Sequence, residues 1–378
     1  MKPTLEERLS ILSSKGVEII DPRQVYVDES IDLDRVFPGS ILFPGSRLFG
    51  RSTVIAPNAK IGTEGPATVT DSAVGQGAEI ASGYVSGAVL LDGSKIGSNG
   101  HIRTGTLLEE EASTAHAVGL KQTILMSFVT LGSLINCCDC LVSGGRSRLN
   151  HTEIGSGFIH FNFTAWGETG DKATPSLIGG VPDGVFLREE RIFMGGSGGM
   201  VGPNTVGFGS FTVAGQIIRS EVPENRIRSD VARVIDAPWD YKPRGLFEPK
   251  IKKNLEYVGH LAALHAWYSL VRKQRLPDTR ALAHARMVIE MAIALIEDSI
   301  VERWSRLQHF VGEKNPIAPP VFSRIACPLP ISQAEQSHID WVRSLSEAET
   351  KAGIDWLKEI VATFVNNNRV EKSGHALP

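Results

Sequence analysis

The sequence predicts a mainly-β chain: a left-handed parallel β-helix followed by an α-helical region. Three observations carry that expectation. First, aliphatic-glycine pairs recur along the chain: Ile61-Gly62, Val74-Gly75, Ile96-Gly97, Val118-Gly119, Leu131-Gly132, Ile154-Gly155, Ile178-Gly179, Val201-Gly202 and Val206-Gly207. Second, the spacing around several of them is six residues. Ile55 leads to Ile61 with Ala59 between, Val74 to Ile80 with Ala78 between, and Ile96 to Ile102. An aliphatic residue at every sixth position marks a hexapeptide repeat, in which each short strand turns one such side chain into a triangular core. Small residues and glycines let the chain turn the corners without a Cβ clash. Third, the composition shifts near Pro238 to Pro243, and beyond it apolar residues fall three and four apart.

The elements follow in order. Residues 1–22 read as an N-terminal helix and a lead-in segment. Thr4 can cap a helix over 4–14, and Leu5, Leu9 and Leu12 share one face. Val17 to Pro22 is extended. Residues 23–235 carry the repeat, with an inserted loop near 164–176 where no aliphatic falls at a hexad position. Loops that leave a β-helix are where such folds place function. The helical domain spans 236–365. Its long stretches are 247–273 and 278–311, the second with Val288, Ala292, Leu295, Ile300, Trp304, Leu307 and Val311 on one face. A proline-rich connector, Pro316 to Pro330, leads to shorter helices over 332–348 and 349–365, and 366–378 reads as a flexible tail. The helices are expected to pack within the subunit or at an oligomer contact, and a protein partner for them is open.

Composition narrows the function classes. The chain has 378 residues, 42% apolar and 21% charged, with a net charge of −3. No global pull toward nucleic acid follows, and the cluster Lys250 to Lys253 reads as a solvated helix face. No run of 18 apolar residues and no signal-peptide core is found, so the expectation is cytoplasmic, without a membrane partner. Three of the four cysteines stand in Cys137-Cys138-Asp139-Cys140. Adjacent strand residues face opposite ways, so one tetrahedral metal does not suit all three. No second Cys/His cluster has zinc spacing, and no metal is expected. Gly195 to Gly199 is a glycine-rich turn, because no Lys-Ser/Thr follows it.

Residues 9–225 resemble the C-terminal acetyltransferase half of the bifunctional bacterial glucosamine-1-phosphate acetyltransferase / N-acetylglucosamine-1-phosphate uridyltransferase. The resemblance rests on Gly16 to Pro22, Ile96 to Glu109 with Arg103, Val118 to Lys121, Ile154 to Phe163 with Asn162, and Ile192 to Gly196 running on to Gly207. The uridyltransferase half has no counterpart, and that activity is not expected.

Arg103 and Lys121 are 18 residues apart, three hexads and so one coil. Equal phase places them on one face of adjacent coils, about 4.8 Å apart. Two cations at that spacing repel unless an anion lies between them, with Arg supplying a fork and Lys a point charge. The resemblance implies that they hold a sugar phosphate, that Lys172 is a third cation of that site, and that Asn162 contacts the acyl donor and the substrate side of the cleft. Trp166 offers a ring to a sugar or an adenine, or plugs the helix side. The proton-transfer set departs from the resemblance. Its Glu position is Gly119, its Tyr is missing, and six extra residues leave Ser133, Cys137 or Asp139 where its His would stand. His151 is the first substitute base and His160 the second. Cys137, His116 and His101 are weaker candidates.

Three functions compete. The first is an acyltransferase moving an acetyl group from acetyl-CoA to a sugar phosphate or nucleotide sugar, with Arg103, Lys121 and Lys172 on phosphate. The second is a non-catalytic binding protein for the same ligands. The third is a structural scaffold. The resemblance implies a homotrimer whose clefts lie between coils of adjacent subunits.

Overall fold

The computed structural model of the chain describes residues 2–163, 171–230, 236, 238, 247–312, 325–333 and 336–368. Each coil of the solenoid is three short parallel strands laid on three faces. The first face is an eleven-stranded sheet that begins at Glu18–Ile19, climbs through Lys60–Ile61, Lys95–Ile96 and Thr130–Leu131, and ends at Ile227–Arg228. Eleven strands on one face make about eleven turns. The second and third faces belong to one sixteen-stranded sheet, because the strands Gly119–Leu125 and Asn136–Val142 run across the corner between them. Parallel stacking at hexad spacing is the expected left-handed β-helix.

The hexad aliphatics fill the interior. Leu42, Leu48, Ile61, Val69, Ile80, Val85, Ile96, Ile102, Leu120 and Leu131 belong to one buried cluster. Several of their outward neighbours on the first two faces are polar or exposed, as Lys95 beside Ile96 and His101 beside Ile102 show. Corners need left-handed backbone or glycine. At Gly83, with φ +118, an added Cβ would meet the Gly100 carbonyl oxygen at 2.1 Å, so only glycine fits there.

The third face is different. Its strands Ala88–Leu90 and Thr106–Leu108 are buried on both sides. Val54, Ala73, Val89, Leu107, Ile124, Leu141 and Leu177 point outward into a second apolar cluster shared with the helices. The described α-helices of four residues or more, in order, are α1 (Leu5–Ser14), α2 (Val181–Gly184), α3 (Phe247–Trp267), α4 (Ala283–Val311), α5 (His338–Ser344) and α6 (Glu347–Asn367). Thr4 caps α1 in a capping box with Glu7, and Ser346 caps α6 in one with Glu349. α4 lies along the third face, and α3 packs between α4 and α6.

The long stretch 247–273 is not one regular helix. α3 passes into a π-helical turn over Tyr268–Arg272. That turn aims two side chains at the solenoid. The Tyr268 hydroxyl donates to Glu109 at 2.8 Å, and the Arg272 guanidinium pairs with Glu110 and lies 3.6 Å from Glu109. The Ser127 N–H also donates to Glu109. Burial pushes the Glu109 carboxyl up, and Arg272 opposes that shift.

Candidate functional site

The second face carries the cations. Its strands turn alternate residues outward, so His101 and Arg103, Gly119 and Lys121, and Asn136 and Cys138 form two columns up the solenoid. His101 pairs with Gly119 and Ile102 with Leu120, which sets Arg103 opposite Lys121. Lys121 in turn pairs with Cys138. Arg103 Nη2 reaches Cys138 Sγ at 3.6 Å, while its Nε is buried without a partner. Among the described residues, no carboxylate pairs with Arg103 or Lys121. Adjacent strands lie about 4.8 Å apart, so the two side chains form a positive pair.

The corner beside this pair is closed by the helical region. Asp139 takes left-handed backbone there, with φ 63. Its buried carboxylate meets Arg303 of α4 at 3.0 Å and accepts the Asn162 amide N–H at 3.2 Å. Burial pushes the Asp139 carboxyl up and Arg303 holds it down. Asn162 Oδ1 has no partner among the described residues. Burial and the Asp139 charge raise the Cys138 thiol, so it is not a ready thiolate despite the cations. Cys137 and Cys140 are buried in the solenoid core.

Lys172 is exposed, on a segment pinned to α3. There Lys250 pairs with Asp171, and the Asn254 amide donates to the Ala173 carbonyl at 3.0 Å. Trp166 lies outside the described residues. The sequence did not single out Arg303. The available signal was an arginine beside Trp304 on the apolar side of a long helix, where an unpaired charge is not tolerated.

The two histidines proposed as bases are placed apart from each other. His160 is enclosed. Its Nδ1 lies 2.6 Å from the Cys138 carbonyl, which only accepts, so Nδ1 carries the proton. Nε2 then accepts from the Ser176 hydroxyl at 2.8 Å, and Ser176 Oγ accepts the Asn204 N–H at 3.0 Å. Burial pushes the imidazole down to about 4. Both ring nitrogens are engaged, and the geometry corrects His160 from a base to an internal tie. His151 is half-buried on the hairpin Gly145–Ser147/Asn150–His151, with Nδ1 2.8 Å from the Arg148 carbonyl and Nε2 3.5 Å from Glu153. The hairpin joins the third face to the first, so within one chain His151 does not meet Arg103 and Lys121.

This hairpin also accounts for the six extra residues. Successive first-face strands pair Ser113 with Thr130 and Thr130 with Glu153, so one coil is 17 residues and the next 23. The insertion follows Asn136–Val142, and Ser133 therefore stands where the resemblance expects a His. Ser133 Oγ lies 3.0 Å from His116 Nδ1.

No protein-family model matches the chain. Over 220 residues it is 30% identical to the bifunctional protein GlmU of Pseudarthrobacter chlorophenolicus, covering 57% of this chain and 39% of that protein. It is 29% identical over 219 residues to GlmU of Desulfitobacterium hafniense, covering 58% and 42%, and 25% identical over 256 residues to GlmU of Thermosipho africanus, covering 65% and 48%. The match falls in the C-terminal half of these proteins, and the chain spans less than half of their length. Among the described residues, no group of three or more His, Cys, Asp or Glu is placed to hold a metal. No described helix is long and apolar enough to cross a membrane.

Proposed function

We propose that the chain is a hexapeptide-repeat, acyltransferase-like protein that acts on a sugar phosphate or nucleotide sugar, with acetyl-CoA as the acyl donor. The observation that carries this reading is the in-register pair of Arg103 and Lys121, without a counter-charge among the described residues. A phosphate between them gains a forked contact and a point charge. Similarity to GlmU supports a sugar-phosphate ligand at the level of the family. Asn162, its Nδ2 committed to Asp139, has its Oδ1 available to accept an N–H of donor or acceptor. Lys172 and Trp166 belong to the same reading as ligand contacts from the loop.

Proton transfer falls to His151. It lies on another side of the solenoid from the cations, so its use as a base requires the hairpin of a second copy, consistent with a homotrimer. A second reading is a non-catalytic sugar-phosphate or nucleotide-sugar binding protein. It is favoured by Ser133 at the expected base position and by the enclosure of His160. Calorimetric titration with acetyl-CoA, glucosamine 1-phosphate and UDP-N-acetylglucosamine separates the two. Removing one charged contact costs about 1.5–3 kcal/mol, so Lys121→Ala is expected to weaken the phosphate ligands by roughly ten- to a hundredfold. Sugar-ligand binding without acetyl-CoA binding sinks the transferase reading, and unchanged affinity in Lys121→Ala sinks the clamp.

A further inference from the structure

Beside the cation column runs a second outward column, and its chemistry is aromatic. Tyr84 pairs with His101, His101 with Gly119, and Gly119 with Asn136. The Tyr84 and His101 rings stack, with centroids 5.4 Å apart and planes 25° from parallel. Both side chains are exposed. The next rung of this ladder is Gly119, which presents no side chain, and the rung above it is the exposed amide of Asn136.

The spacing of the ladder suits a planar ring at the Gly119 rung. With strands about 4.8 Å apart, such a ring lies one spacing from His101, within the range of stacked aromatic pairs. Asn136 lies one spacing beyond, and its amide offers both a donor and an acceptor to a ring edge. Lys121 is two residues along the same strand, about 6.6 Å from that slot, and Arg103 stands beside it. Ring slot and cation pair are thus separated by a span that a ribose bridges.

We propose that the ligand of this face is a nucleotide, its base stacked on His101 above Gly119 and its phosphate between Arg103 and Lys121. The proposal rests on the phosphate reading of those two cations and adds the base. It assigns His101, Gly119 and Asn136 to binding and makes a nucleoside phosphate or nucleotide sugar, rather than a simple sugar phosphate, the preferred class.

The glycine supplies a clean test. Gly119 has ordinary backbone, and a Cβ there meets nothing nearer than Asn136 Oδ1 at 3.5 Å, an ordinary contact. Gly119→Val therefore adds apolar bulk to the slot with its Cβ in ordinary contact. The full-length chain is titrated with UMP, AMP, ribose 5-phosphate and inorganic phosphate, as wild type, Gly119→Val, His101→Ala and Lys121→Ala. Stacking is expected to make a nucleotide about five- to a hundredfold tighter than ribose 5-phosphate. Gly119→Val and His101→Ala should remove that advantage and leave ribose 5-phosphate unchanged, and Lys121→Ala should weaken every ligand. Nucleotides no tighter than ribose 5-phosphate, with Lys121 dependence intact, overturn the base slot alone. A nucleotide preference that survives Gly119→Val overturns it as well. No binding of any phosphate overturns the clamp and the slot together.

Discussion

At the scale of single residues, the solenoid treats two of its histidines, His101 and His160, in opposite ways. His101 is exposed on a ring ladder, while His160 is 3% exposed and tied at both nitrogens. The buried ring has a consequence for stability. The unfolded chain binds a proton at His160 below about pH 6.5, whereas the folded chain resists it until about 4. Between those values the unfolded state holds more protons, so stability is complete above about 6.5 and falls as pH drops toward 4. The shift is on the order of 3 kcal/mol for this one residue. Urea unfolding at pH 7.5 and at 4.5 should show that loss, and His160→Gln should flatten its share of it. An equally steep fall in the variant would remove His160 as the cause. The enclosed ring also explains why a strand histidine near Asn162 is easily mistaken for a base. Sequence shows the residue type and not the Cys138 carbonyl or the Ser176 hydroxyl on either side of it.

At the scale of elements, the π-helical turn Tyr268–Arg272 is one of the polar contacts that fasten the helices to the coils. Tyr268 and Arg272 stand four residues apart, so they share one side of the helix, and both reach the Glu109-Glu110 pair from this turn. Arg272 and Glu109 are 5% and 3% exposed, so removing the guanidinium strands two carboxylates next to the core. Arg272→Met is expected to cost about 3–5 kcal/mol, the usual result of breaking a buried ion pair on one side. A loss under about 1 kcal/mol in chemical unfolding would show that the pair is hydrated and unimportant. Asp139 and Arg303 make the same kind of bond one corner from the cations. Replacing Arg303 should therefore disturb both the seating of α4 and the orientation of Asn162.

At the scale of the whole molecule, the helices are not an appended domain. The outward side chains of the third face and the inward side chains of α3, α4, α5 and α6 form one apolar cluster. Solenoid stability is a sum of neighbouring coils, but here α4 spans several of them. Unfolding should accordingly be a single transition. Tryptophan fluorescence, dominated among the described residues by Trp267, Trp304, Trp341 and Trp356 in the helices, should change together with far-UV circular dichroism, which reports coils and helices alike. Separated midpoints would mean that the two parts fold independently. Covering the third face also leaves the first and second faces as the surfaces open to ligands or to further copies of the chain.

The coils, their core and the register of Arg103 against Lys121 were legible in the sequence, because a six-residue period is local and each step of it repeats the last. The change to helix was legible too, from apolar residues three and four apart. The cover over the third face also left a readable trace. Ala88-Val89-Leu90 and Thr106-Leu107-Leu108 lack the alternation of Gly100-His101-Ile102-Arg103, as strands buried on both sides do. What only the tertiary structure decided is which distant groups meet. Arg303 on Asp139, Tyr268 and Arg272 on Glu109 and Glu110, and the enclosure of His160 each join residues from different coils or from helix and coil. A buried charge or donor must find its partner wherever the packed chain brings one within reach, and no periodicity in the sequence encodes that distance.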